Sequence, residues 1–235
     1  MDPLEQPKHT TDSKPQGQIV DLNGNVGPWG QSSQIPLNPL SIVVGSKLRL
    51  HDPDLHGLEV RVEEVLGTTV NYDGQRYYIT DYAVIGAQTP EASSLSDNDG
   101  NIRLRIRCCA EESGALDTTI FQAQHLQQAA TPVFTSLASS EGLASLISAR
   151  GRREYGFERI DDVHDIYRGE RTVIGEQGLV TTHIIETLDY SRMQPDGKGD
   201  YYSQWALVEH NPETHDMITL FGWSIAPESI ERLES

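Results

Sequence analysis

Residues Ile102–Cys108 run Ile-Arg-Leu-Arg-Ile-Arg-Cys, an unbroken alternation of apolar and cationic side chains. Because successive side chains of a β-strand point to opposite faces, this stretch predicts a strand with an aliphatic face and an arginine face. The three arginines, Arg103, Arg105 and Arg107, either form a functional surface or are neutralised by carboxylates on neighbouring strands. We favour neutralisation and keep the arginine face as a candidate interaction surface.

Strand patterns continue on both sides of this stretch. Before it come Ser41–Leu50, Leu58–Glu63 and Gln75–Ile85, and after it come Phe157–Ile160, Tyr167–Val173, Leu179–Tyr190, Tyr201–His210 and Met217–Ala226. Asp73-Gly74 and the segment from Asn211 to Asp216 are typical of hairpin turns. We predict an α+β, mostly antiparallel β protein, with a small barrel-like or twisted sheet, a linking helix and a second antiparallel sheet.

The organisation along the chain follows from composition. We predict a flexible polar leader over 1–39, a first β-rich domain over 40–135, a linking helix over 136–151 and a second β-rich domain over 152–235. Ser140 and Gly151 suit the two ends of the linking helix. The Gln- and Ala-rich stretch from 122 to 130 favours another helix, and Pro227 favours a short terminal helix through residue 233. Trp29, in the leader, is either a docking residue or a cap on the domain.

Charge and composition exclude several classes of function. The net charge is −17 and the isoelectric point is near 4.7, which disfavours nonspecific binding to DNA, RNA or anionic lipid. We expect neither a secretory signal nor a membrane-spanning segment. Cys108 and Cys109 are adjacent and cannot bridge one another without distortion, so a reducing, cytoplasmic compartment is the simplest interpretation.

Motifs that could support chemistry have simpler explanations. Asp97-Asn98-Asp99-Gly100 resembles part of a calcium loop, but two ligand positions would then be Leu95 and Ile106, which favours a turn. An acidic cluster with one histidine covers Asp161, Asp162, His164 and Asp165, and His183 with Glu186, or His210 with His215, could complete a metal site. His183 and Glu186 have opposite strand parity, and the spacing is not diagnostic. We therefore predict no metal, no cofactor and no catalytic residue.

Aromatic residues are frequent on two of the later predicted strands. These residues are Tyr201, Tyr202, Trp205, Phe221 and Trp223. They could form a stacking platform for a sugar or base, but aromatic residues on paired strands usually pack in a core or across strands. We favour core packing.

The order of features resembles one uncharacterised bacterial family, similar to the YjfK protein of enteric bacteria. The matching features are the strand Gly45–Leu50, the Gly142-Leu143 link running to Ile147, the strand from Thr182 to Tyr190, and a closing hairpin that includes Gly222. Members are often encoded beside PspA-like membrane-stress proteins, so the resemblance implies a cytoplasmic accessory role linked to envelope or membrane stress. It carries no catalytic residue over to this chain.

Two classes of function remain. We favour a non-catalytic interaction protein whose partner is another protein with a basic or mixed surface, and the alternative is a metal-assisted hydrolase that uses the acids near His164.

Overall fold

The computed structural model describes residues 40–72, 75–87, 89, 99–110, 116–137, 158–159, 166–195 and 201–233. All of them belong to one compact unit, Ile35–Ser235. The strands in this part of the chain are β1 Lys47–Leu50, β2 Leu58–Tyr72, β3 Gln75–Ala87, β4 Asn101–Ala110, β5 Leu116–Gln128, β6 Glu158–Arg159, β7 Tyr167–Ile174, β8 Val180–Pro195, β9 Tyr201–His210, β10 Asp216–Ser224 and β11 Ile230–Leu233. The same ranges contain one α-helix, α1 Thr131–Ser136, and two single 3₁₀ turns, Glu176–Gly178 and Pro227–Ser229. No described helix is both long and apolar enough to cross a membrane.

Eight of the strands close into a barrel. Antiparallel pairing runs from β2 through β3, β4, β5, β10, β9 and β8 to β7. β7 then pairs with β2, with Val65 opposite Ile174 and Thr68 opposite Arg171, and this pairing completes the ring. Outside the ring, β1 pairs with residues 58–61 of β2, and β11 pairs with the other edge of β1. β6 pairs with Tyr190 and Ser191 of β8.

The barrel wall has two buried faces. The outer face of β8, β9 and β10 packs against α1, where Phe134 is fully buried among Leu188, Tyr190 and Val208. The opposite parity of the same strands contributes Leu207 and Leu220, which pack with Phe121 of β5 in a separate apolar cluster inside the ring. Strands buried on both faces lose the simple apolar–polar alternation that marks a half-exposed strand.

Hairpin turns hold the predicted positions. Tyr72 lies opposite Gln75, so two residues join β2 and β3. Between β9 and β10 the Asn211 amide donates to the Asp216 carbonyl, and the Asn211 side chain accepts from the amides of Glu213 and Thr214. The mostly antiparallel β-rich class predicted from the sequence is therefore confirmed.

Three finer predictions do not agree with the structure. The second antiparallel sheet is not confirmed, because β7 and β10 of the second half pair with β2 and β5 of the first. The helix predicted over 122–130 is wrong, since β5 continues to Gln128 in register with β10. The terminal helix is also wrong: Pro227 begins one 3₁₀ turn, after which β11 pairs with β1. The linking helix over 136–151 and the leader over 1–39, with Trp29, lie outside the described residues except for 136 and 137.

Candidate functional site

The arginine strand is β4, and its two faces differ as the alternation predicted. Ile102, Leu104 and Ile106 are buried. On the other face exposure falls along the strand, from 53% for the Arg103 side chain to 13% for Arg105 and 9% for Arg107. The arginine face therefore begins at the end of the barrel and runs into its interior. The ion pairs of Arg105 and Arg107 are therefore largely buried.

Arg107 is neutralised first by the neighbouring strand. Asp81 of β3 lies directly opposite Arg107 in the register. The Arg107 Nε donates to Asp81 Oδ1 at 2.8 Å and its Nη2 donates to Oδ2 at 2.9 Å, which is a bidentate pair. Asp81 has no exposed side-chain surface. The interpretation of the arginines as a row neutralised by carboxylates on adjacent strands is confirmed at this position.

A second carboxylate, that of Glu209 on β9, reaches the arginines across the ring. It accepts from Nη1 of Arg105 at 2.5 Å and from Nη2 of Arg107 at 3.0 Å. Because β4 and β9 are not neighbours in the ring, these hydrogen bonds must cross the barrel interior. Glu209 is 1% exposed.

Arg171 of β7 completes the network. Its Nη1 and Nη2 donate to the two Glu209 oxygens at 2.7 and 2.6 Å, and its Nε donates to Thr68 Oγ1 at 2.9 Å. We call Asp81, Arg105, Arg107, Arg171 and Glu209 the barrel cluster. An eight-stranded barrel has an interior that side chains can fill, and here charged side chains fill part of it.

The electrostatics of the barrel cluster favour the charged forms of Glu209, Arg107 and Arg171. Burial raises the pKa of the Glu209 carboxyl, but Arg105 and Arg171 outweigh burial and hold that pKa well below its usual value. Burial lowers the pKa of the Arg107 guanidinium, and the attraction of Asp81 and Glu209 more than reverses the effect. Asp189 adds a further negative charge near Arg107. Glu209, Arg107 and Arg171 therefore keep their charges near neutral pH.

A cavity of about 570 Å³ lies at the Arg105 end of the barrel cluster. Its wall includes residues of β2, β3, β4 and β10 and the tip of the β7–β8 hairpin. The lining residues are Glu63, Glu64, Ala83, Val84, Arg103, Leu104, Arg105, Gly175, Glu176, Leu179 and Leu220. Around this mouth, Arg103 pairs with Glu63 at 3.1 Å and Arg61 pairs with Glu176 at 2.6 Å.

The predicted metal candidates do not converge in the described part of the chain. The Glu186 carboxylate lies 3.0 Å from His210 Nδ1, and the Ala129 carbonyl oxygen lies 2.9 Å from His210 Nε2. His183 lies opposite Arg171 in the register. The pKa of the His183 imidazole is lowered, mainly by burial and secondly by the positive charge of Arg171. Within the described ranges, no three His, Cys, Asp or Glu side chains are grouped so as to hold a metal. Asp161, Asp162, His164 and Asp165 lie outside those ranges.

The other candidates have structural roles where the structure describes them. Cys108 is buried and Cys109 half-buried, both as reduced thiols. Trp205 packs on the apolar cluster inside the barrel and its Nε1 donates to Ser224 Oγ at 2.9 Å. Phe221 packs instead on the cluster under α1. Gly100 has a φ of +74°, which suits the predicted turn before β4.

Asp81, Arg171 and Glu209 were missed by the sequence reasoning. A usable signal was present for Glu209, because it shares strand parity with Trp205 and Leu207 and so falls on a buried face. No local signal links Arg171 to Glu209, since β8 lies between their strands. The interaction surface remains a prediction for all four of its residues, Arg103, Arg105, Arg107 and Trp29.

No family model, curated protein sequence or solved structure matches this chain.

Proposed function

We propose that this chain is a non-catalytic cytoplasmic interaction or accessory protein whose partner is another protein. The observation that carries the proposal is the state of the barrel cluster, where Glu209 is held between three arginines and its pKa lies well below the usual value. General acid–base catalysis requires a group that titrates near the working pH. A buried, hydrogen-bonded set of opposite charges instead fixes the positions of the strands that carry it.

The charge distribution supports a partner with a basic or mixed surface. The chain has a net charge of −17, which favours association with cationic surfaces. Arg103 is the exposed end of the arginine face, and it lies among the carboxylates of Glu63, Glu64 and Glu176 around the cavity. A partner that presents both signs of charge complements this mouth. The resemblance to the YjfK-like family extends the proposal to a role in envelope or membrane stress.

The test begins with cross-linking of the full chain in cells and continues with purified components. Once a cross-linked protein is identified, its affinity is measured by titration at low and high salt. We expect the affinity to fall with salt and Arg103→Glu to weaken it severalfold. Arg168→Glu is the matched control, since Arg168 is an exposed arginine on β7 away from the cavity lining.

Two outcomes would contradict the proposal. Equal effects of Arg103→Glu and Arg168→Glu would remove the arginine face from the interaction. Stoichiometric zinc or manganese that survives dialysis and is lost in His164→Ala would favour the metal-assisted hydrolase instead.

A further inference from the structure

Arg105 differs from the other two arginines of the barrel cluster in how many of its donors are used. A guanidinium has five N–H donors. Arg107 and Arg171 each make three hydrogen bonds, whereas Arg105 makes one, from Nη1 to Glu209. Its Nη1 also lies 3.9 Å from Asp81. Within the described residues, Nε and Nη2 of Arg105 have no acceptor.

Those spare donors belong to a side chain that lines the cavity. The Arg105 side chain is 13% exposed, and its spare donors keep contact with the solvent of the cavity, because they are not among the fully buried polar atoms that lack a partner. A ligand oxygen that replaces this solvent accepts a charge-assisted hydrogen bond, which is stronger than one between neutral groups. Arginine favours carboxylate and phosphate oxygens because its planar fork can donate to two of them at once.

The rest of the lining selects between those two anions. Glu63, Glu64 and Glu176 stand around the same cavity. Carboxylates that line the same cavity repel a doubly charged phosphate more strongly than a singly charged carboxylate. The lining also provides apolar side chains, from Ala83, Leu179 and Leu220.

Leu179 gives an independent indication that the apolar part of the lining is incomplete. It is 69% exposed, and with Val133 it is one of two large apolar side chains that are exposed in the described part of the chain. Leu179 lies beside the 3₁₀ turn at the tip of the β7–β8 hairpin, where it forms one edge of the cavity. A ligand with an apolar body would cover it.

We propose that the cavity binds a small amphipathic monocarboxylate, with the carboxylate on Arg105 and the apolar body against Leu220 and Leu179. A cavity of about 570 Å³ falls in the range of small-molecule sites. The site opens beside Arg103 and does not require a protein partner. The binding experiment below therefore tests this proposal independently of the function proposed above.

The test uses sodium octanoate as the probe and the full chain, with binding followed by calorimetric titration at neutral pH. We expect saturable binding with one site per chain. Octanol keeps the apolar body without the charge and should bind roughly tenfold more weakly or worse, because a hydrogen bond to a charged group is lost. Tighter binding of octylammonium or of inorganic phosphate would overturn the assignment of the ligand.

Two pairs of variants locate the site. Arg105→Met should abolish octanoate binding, and Arg49→Met on β1 should not. Because Arg105→Met removes part of a buried network, Leu179→Ser provides a surface variant that leaves the barrel cluster intact. Leu179→Ser should weaken octanoate binding by roughly tenfold through lost apolar contact, with Val133→Ser as the matched exposed control. Unchanged binding in Leu179→Ser, or no saturation with millimolar octanoate, would refute the proposal.

Discussion

Two ionic networks in this protein use the same chemical groups in opposite surroundings. The barrel cluster is buried, with Asp81 and Glu209 exposed by 0% and 1%. On β1, β2 and β11, Arg49 bridges Glu59 at 2.6 Å and Glu231 at 3.4 Å, and His51 lies 2.7 Å from Glu231. We call these four residues the edge cluster, and their side chains are 37–60% exposed.

The difference teaches that the N–O distance of an ion pair does not measure its contribution to stability. The Arg49–Glu59 pair is as short as the Arg171–Glu209 pair, since both span 2.6 Å. Water can replace each partner of the exposed pair, whereas a buried charge whose partner is removed has no substitute. The four predictions below test this contrast, in descending order of expected effect.

The largest expected effect comes from Glu209→Ala. This change leaves Arg105, Arg107 and Arg171 facing one another with one fewer carboxylate, and we expect a loss of about 3–5 kcal/mol in the free energy of unfolding. Urea titration measures it. Glu231→Ala is the matched change in the edge cluster and should shift the urea midpoint little. Equal shifts in the two variants would contradict the claim that the buried cluster contributes more to stability than the exposed one.

A double-mutant cycle on Asp81 and Arg107 sharpens the same point. Asp81→Leu or Arg107→Met alone leaves an unmatched buried charge, while the double variant removes the bidentate pair as a unit. We expect the double variant to lose less stability than the sum of the two single variants, with a coupling of roughly 0.5–3 kcal/mol. Additive single losses would mean that the pair acts as two independent side chains.

Acid sensitivity should also separate the clusters. The folded-state pKa of Glu209 is depressed, so its stabilising contribution is present above the unfolded pKa and is lost as the pH falls through the folded value. Stability should therefore decline below about pH 4, near the ordinary pKa of a glutamate. Glu209→Gln should flatten this decline, as measured by urea midpoints between neutral and acidic pH. A steeper decline in Glu209→Gln would contradict the sign.

The smallest effect concerns salt and the edge cluster. The pKa of Glu231 is lowered, first by its hydrogen bond with His51, but the pairs are exposed and screened. We expect Arg49→Ala to change the thermal midpoint slightly at low salt and not at all at about 1 M salt, where the Debye length is roughly 3 Å. A salt-independent effect would indicate that Arg49 stabilises through packing.

The sequence predicted local structure better than long-range pairing. The alternation in β4 and the turn residues at Asn211 gave correct elements because strand parity and turn chemistry depend on a few neighbouring residues. The stretch at 122–128 favours a helix through its Gln and Ala, but pairing with β10 along this stretch, joined by β4 at Gln122, overrides that propensity.

The site was predictable only in part, for the same reason. Strand parity in β4 predicts the arginine face, but it does not show which carboxylates neutralise it. Ring closure does not follow from strand parity, because it depends on β2 meeting β7, and no periodicity indicates which distant strands pair. Without the ring, Glu209 and Arg171 could not be placed against Arg105.

Closure of the ring has a consequence for the order in which the ribosome delivers the strands. The meander from β2 to β5 leaves the exit tunnel first, while β7 and β10, which pair with its two outer strands, are still to be made. Until they arrive, both outer strands present unpaired backbone groups, which are templates for pairing with another chain. The closed ring protects the finished protein, so the nascent chain is the form most exposed to wrong pairing, and slow translation between β5 and β7 would prolong that exposure.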